Sequence, residues 1–199
     1  MKHKNFFFTF VLFIGLLPLL SVAQNADIEL LKTINQNRNR DFDPFFRAVT
    51  HTAGPVAFIT PLLLLGVGLF QKNKRLKQKA LFLVASVATA VIITTTLKYV
   101  INRPRPFETY SFIEKVTSGG SPSFPSGHTT DAFVIATALS IAFPRWYIMI
   151  SSFIWATAIA YSRMGLGVHY PMDVLVGILI GSGSALIWYF TKYQNKITD

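Results

Sequence analysis

The stretch ALFLVASVATAVIITTTL, residues 80–97, runs for 18 residues without an acidic or basic side chain. A helix needs about 17–25 mostly apolar residues to cross the hydrocarbon core of a bilayer, so this segment predicts a membrane-spanning helix. Working outward, comparable runs free of Asp, Glu, Lys and Arg cover Ala48–Gln71, Trp146–Ser162 and Val174–Thr191. Phe133–Pro144 is short alone but reaches spanning length if its helix starts at His128. The expected fold is therefore all-α, a polytopic transmembrane bundle of five core spans.

An earlier apolar run, Asn5–Ala26, follows Lys2 and Lys4 and contains Ser21-Val22-Ala23, with small residues where a signal peptidase reads. Residues 1–23 are a signal peptide or, uncleaved, a signal anchor that makes a sixth span. Residues 24–47 mix Ile28, Leu31, Ile34, Phe42, Phe45 and Phe46 with Lys32, Arg38, Arg40, Asp41 and Arg47. They read as an amphipathic interfacial segment at the membrane surface, or as a solvated linker. Residues 48–191 form the transmembrane domain, and 192–199 a cytoplasmic tail.

Composition agrees. Of 199 residues, 51% are hydrophobic and 14% charged, with a mean hydropathy of +0.43. That is more apolar surface than one small soluble core buries. The net charge of +10 is spread over short segments between apolar runs, which argues against a nucleic-acid-binding stripe. The absence of cysteine excludes disulfides, thiolate metal sites and a cysteine nucleophile. Nine carboxylates in the whole chain disfavour chemistry on carboxylate-held metals.

The basic segment Gln71–Lys79, with Lys72, Lys74, Arg75, Lys77 and Lys79, prefers the cytoplasm. Alternation then places residues 98–127 and 163–170 outside. Lys98, Arg103, Arg105, Lys115 and Arg163 lie in those outer segments against the positive-inside preference, and an anionic ligand would explain them.

Three clusters share that side. In Lys98-Tyr-Val-Ile-Asn-Arg103-Pro104-Arg105-Pro106, prolines stop the helix that Lys98 ends. In Pro125-Ser126-Gly127-His128, Ser126 can cap the helix that follows, whose free N–H groups suit an anion. In Ser162-Arg163-(five residues)-His169-Tyr-Pro171-Met-Asp173, Pro171 fits the first turn of the last helix. Asp173, four residues after His169, can then accept from one ring nitrogen and leave the other free as a nucleophile. Together they provide three cations, backbone amides, a nucleophile and an acid, an inventory for phosphoryl transfer without metal.

The pattern K-x6-RP, PSGH, SR-x5-H-x3-D resembles the type 2 phosphatidic acid phosphatase (PAP2) superfamily, which also includes vanadium haloperoxidases. The resemblance covers nearly the whole mature chain and is closest to the membrane branch. It implies that His169 attacks phosphorus to form a phosphohistidine and that Asp173 orients it. His128 would protonate the leaving oxygen and then activate water. Lys98, Arg105, Ser126, Gly127 and Arg163 would bind the phosphate, with no cofactor. Arg103 offers a second Arg-Pro, and Asp131 either tunes His128 or favours its helix N-terminus.

The implied activity is hydrolysis of a lipid phosphate or diphosphate, such as undecaprenyl diphosphate, phosphatidylglycerol phosphate, phosphatidic acid or lipid A. It would occur at the outer face of a bacterial inner membrane. Rival readings are a vanadium haloperoxidase-like oxidoreductase and an inactive lipid-binding membrane protein. His51 reads as interfacial, and Trp146, Tyr147, Trp188 and Tyr189 as a cytoplasmic aromatic belt. Residues 107–124 read as a lid or a simple turn.

Overall fold

A computed structural model describes residues 25–193; the signal segment and the last residues of the tail lie outside the described residues. Helix α1 covers residues 25–36, and a 3₁₀ turn at Arg40–Phe42 leads into α2 (Asp43–His51) and α3 (Ala53–Phe70). Then come α4 (Lys74–Ile101), the short α5 (Pro106–Thr109), α6 (Gly127–Ala142), α7 (Trp146–Gly165) and α8 (Pro171–Trp188). A π-helical turn, Tyr189–Tyr193, ends the described chain. No strand occurs among the described residues.

Long helices stand at each of the five expected spans. By length and composition, Arg40–Phe70, Lys74–Thr109 and Pro171–Thr191 are able to cross a membrane by themselves. α6 has only 16 residues and carries Thr129, Thr130 and Thr137. It tolerates them because it is the central helix, packed on α3, α4, α7 and α8. Polar side chains that would be costly facing lipid are here enclosed by protein.

Packing between these helices follows membrane rules. Lipid tails are as apolar as leucine, so association depends on close backbone approach through small residues. Ala132, Ala136, Ala138, Ala156 and Ala185 are fully buried, while Leu62, Leu63, Phe70, Ile92 and Leu179 face outward. The closest approach joins α6 to α8. A Cβ on Gly181 would lie 2.6 Å from the Thr130 carbonyl oxygen, and one on Gly177 2.9 Å from that of Ser126. This contact sets the start of α6 beside the start of α8, and the Ser126 amide donates to the Asp173 carbonyl at 3.0 Å. Two of the three clusters are thereby fixed relative to each other.

The packing refines two sequence expectations. In the 24–47 segment Leu30, Phe42 and Phe45 are exposed, but Ile28 and Leu31 of α1 are buried with Ile113 and Tyr170, so α1 roofs the end of the bundle where the three clusters lie. Asn35, fully buried, locks it there: its Nδ2 donates to the carbonyls of Glu114 (3.0 Å) and Gly165 (2.9 Å), and its Oδ1 accepts from the Glu114 amide. Of the expected aromatic belt, Trp146 and Tyr147 are exposed, but Trp188 packs inward and donates to Thr89 Oγ1 at 2.8 Å.

Candidate active site

The site is built where helix ends meet. α4 stops at Ile101 because Asn102 takes a left-handed conformation (φ 47°), a common C-terminal cap geometry. The chain then runs extended through Arg103–Arg105 into α5. This break decides what the two arginines do. Arg105 turns into a cavity of about 250 Å³. Arg103 turns to the opposite side of His169 and donates to Asp173 Oδ1 at 2.8 Å.

Lys98, Arg105, Gly127, His128, Arg163 and His169 all line that cavity. Its remaining lining is Ser118–Ser121 and Asp131. Asp173 and Ser126 are fully buried and stand behind it. The Ser126 hydroxyl does not cap the helix and pairs with Thr129 Oγ1 at 2.8 Å. Intrahelical bonding starts at the Thr130 amide, which donates to the Ser126 carbonyl. The amides before it have no acceptor within the helix, so the N-terminus of α6 presents donors of the kind that suit an anion.

His169 is 1% exposed. Arg105 Nη1 lies 3.3 Å from its Nε2. A guanidinium only donates, so Nε2 is the accepting, unprotonated nitrogen and the ring proton belongs on Nδ1. Nδ1 sits 3.4 Å from Asp173 Oδ2, within charge contact but not aligned as a hydrogen bond. Burial pushes the imidazole pKa down to about 3 against the opposing pull of Asp173. The ring is therefore neutral near pH 7, with its Nε2 lone pair on the cavity side and engaged by Arg105 Nη1.

The cations are held by one loop. Lys98 Nζ donates to the Pro122 carbonyl (2.6 Å), Arg105 Nε to Ser121 (2.8 Å) and Arg163 Nη2 to Ser118 (3.4 Å). Arg163 Nη1 donates to Thr50 Oγ1 on α2 at 2.9 Å, while its buried Nε has no partner among the described residues. A buried, unsatisfied guanidinium N–H beside a cavity marks a place for an acceptor. Residues 118–122 are thus an ordered wall of the site.

Sequence reading missed Thr50, Ser123 and Asp27. Ser123 Oγ donates to Asp173 Oδ2, and Asp27 binds Arg103. Asp27 did carry a signal: a carboxylate in so apolar and basic a chain needs a partner. Asp131 makes no hydrogen bond to His128 in this arrangement and simply lines the cavity.

A family model for the PAP2 superfamily matches residues 79–197. The chain belongs to the PAP2 superfamily. Within it, the chain is 32% identical to an undecaprenyl-diphosphatase of Sulfolobus acidocaldarius, covering 83% of this chain and 79% of that protein. It is 26% identical to a lipid A 4'-phosphatase of Bacteroides thetaiotaomicron, covering 88% and 81%. Among solved structures, Aquifex aeolicus LpxE superposes with a TM-score of 0.69 at 32% identity, over 81% of this chain and 93% of that one. A phosphatidylglycerolphosphate phosphatase of PAP2 type from Bacillus subtilis shares the fold, with a TM-score of 0.72 at 24% identity over 98% and 96%. This PAP2 protein is accordingly placed among the membrane lipid phosphatases.

Proposed function

We propose that the chain hydrolyses a lipid phosphate or diphosphate through a phosphohistidine on His169. The observation that carries this is the neutral imidazole whose unprotonated Nε2, met by Arg105 Nη1, lies at a cavity walled by Lys98, Arg105 and Arg163. The phosphate oxygens would be held by these cations, by the orphan Arg163 Nε and by the amides that open α6. Nε2 attacks phosphorus as the P–O bond to the lipid breaks, and the leaving oxygen takes a proton from His128. His128 then removes a proton from water. The resulting hydroxide attacks phosphorus, the P–N bond breaks and inorganic phosphate leaves. The imidazolium formed in the first half is stabilised by Asp173.

Three cations lining one cavity repel a divalent metal, which supports metal-independent chemistry. The lipid tail would rest against the outward apolar faces of the bundle with its head group in the cavity. An isoprenoid diphosphate is the favoured substrate, because the undecaprenyl-diphosphatase relative matches over most of both chains. The basic segment at residues 72–79 would face the cytoplasm and the site the outside of a bacterial inner membrane.

The test is phosphate release by purified protein from undecaprenyl diphosphate, phosphatidylglycerol phosphate, phosphatidic acid and lipid A, with and without EDTA. Release from at least one, unaffected by EDTA and abolished by His169→Ala, is expected. Activity lost to EDTA and restored by Mg²⁺ would overturn the mechanism. A periplasmic reporter fused after Asn102 should be active, and the opposite result would invert the topology.

A further inference from the structure

Asp173 is a fully buried carboxylate, and a buried charge persists only when paired and hydrogen-bonded. Its Oδ1 accepts from Arg103 Nη1 at 2.8 Å. Its Oδ2 accepts from Ser123 Oγ and from the Tyr170 amide (3.0 Å), and it is this oxygen that faces His169 Nδ1. Arg103 is itself fixed. Its guanidinium lies over the Tyr170 ring, 3.7 Å from the centroid, and Nη2 donates to Asp27 Oδ2 at 2.8 Å. Asp27, on α1, accepts from the Met172 amide through its other oxygen at 2.8 Å.

Charge explains why two further residues are needed. Arg103 alone would hold Asp173 in place but cancel the negative charge that a phosphorylated, positively charged imidazole requires. Asp27 offsets Arg103. The trio keeps one net negative charge, and the geometry directs it through Oδ2 at His169. We propose that Arg103 and Asp27 are positioning residues for the nucleophile, acting through Asp173 and not on the phosphate. Asp27 lies outside residues 79–197, the span matched by the family model, so α1 is a working part of the site as well as its roof. This inference rests on His169 being the nucleophile.

A double-mutant cycle tests it, read as kcat and KM for undecaprenyl diphosphate or the panel lipid turned over fastest, with inorganic phosphate as a competitive probe of the cradle. Asp27→Asn and Arg103→Gln should each lower kcat by ~10–100-fold, the scale of a misaligned reacting group. Inhibition by phosphate should stay within about twofold of the wild type, by the same reasoning that neither residue touches the cradle. Asp27→Glu should restore most of the rate. In an Asp173→Asn background, Asp27→Asn should cost nothing further, because residues that act through one group are not additive.

Full kcat in Asp27→Asn would overturn the proposal, as would losses that multiply with Asp173→Asn or a phosphate affinity that falls along with the rate. If Arg103→Gln does not fold, the Asp27 series decides the matter alone. A wild-type protein inactive on every lipid, or an active His169→Ala variant, would instead defeat the phosphatase reading itself.

Discussion

On one wall of the cavity, Lys98, Arg105 and Arg163 each rest on a backbone carbonyl of residues 118–122. On the other, behind His169, Asp173 and Arg103 are held by side-chain ion pairs that end at Asp27. A carbonyl is a neutral acceptor, whereas a phosphate oxygen adds opposite charge and can meet an arginine bidentately. On the proposed mechanism, the cation wall exchanges these partners for substrate. The nucleophile wall has no such exchange available, since removing any partner leaves a buried charge uncompensated. Damage to the first should appear in substrate affinity, and damage to the second in the chemical step.

The sharpest way to break this contrast is Asp173→Asn, which preserves shape and removes the charge. Loss of the orienting carboxylate of a catalytic histidine costs ~10⁴-fold in kcat in the serine-protease case, and a loss of that order is expected here with KM little changed. Steady-state kinetics on the best lipid of the panel measures both. A variant that kept kcat and raised KM would place Asp173 among the binding groups and dissolve the distinction between the walls.

A smaller effect is expected on the cation side from Gly119→Val. A Cβ at Gly119 would stand 2.7 Å from Arg105 Nη1 and 2.8 Å from Cζ. The obstructed atoms end a flexible side chain, so the fold yields by moving the guanidinium off its carbonyl partners. Losing one charge-assisted bond of about 1.5–3 kcal/mol predicts a fall of ~10–100-fold in kcat/KM, carried mainly by KM, with thermal unfolding little changed. Unchanged kinetics would mean that the 118–122 loop does not position the cradle.

The contrast also marks what could be read from the sequence. The membrane helices and the residues gathered around the cavity were legible because each depends on local spacing: apolar runs of spanning length, helix-breaking prolines, and an i, i+4 pair across the start of α8. The motif spacing favoured Arg105 over Arg103 for the phosphate, but the role of Arg103 could not be read, because both precede proline and their directions follow from the left-handed turn at Asn102. Asp27, Thr50 and Ser123 were missed for another reason. Each is a single polar residue whose partner is distant in the chain, so even the signal of a lone carboxylate at Asp27 did not say which residue it meets. The stripe of α1 was visible as a periodicity, but nothing local distinguished lipid from Ile113 and Tyr170 as its cover.

The smallest expected effect concerns pH, and it follows from His169 being buried neutral. Its pKa is about 3 in the folded protein against an ordinary value of 6.5, with burial the main cause. Between those values the unfolded chain binds a proton that the folded protein refuses. Stability therefore rises with pH across that interval and is lost as pH falls below about 6.5. Above pH 7 neither state carries the proton and the contribution is flat. Thermal unfolding in detergent from pH 4.5 to 8 should show a decline on the acid side that is shallower in His169→Gln, whose amide does not titrate, with the two proteins parallel above pH 7. Parallel curves throughout would mean that the imidazole takes up its proton in the folded state. Nε2 would then carry a proton and could not accept from Arg105 Nη1, so the resting ring would offer no lone pair for attack.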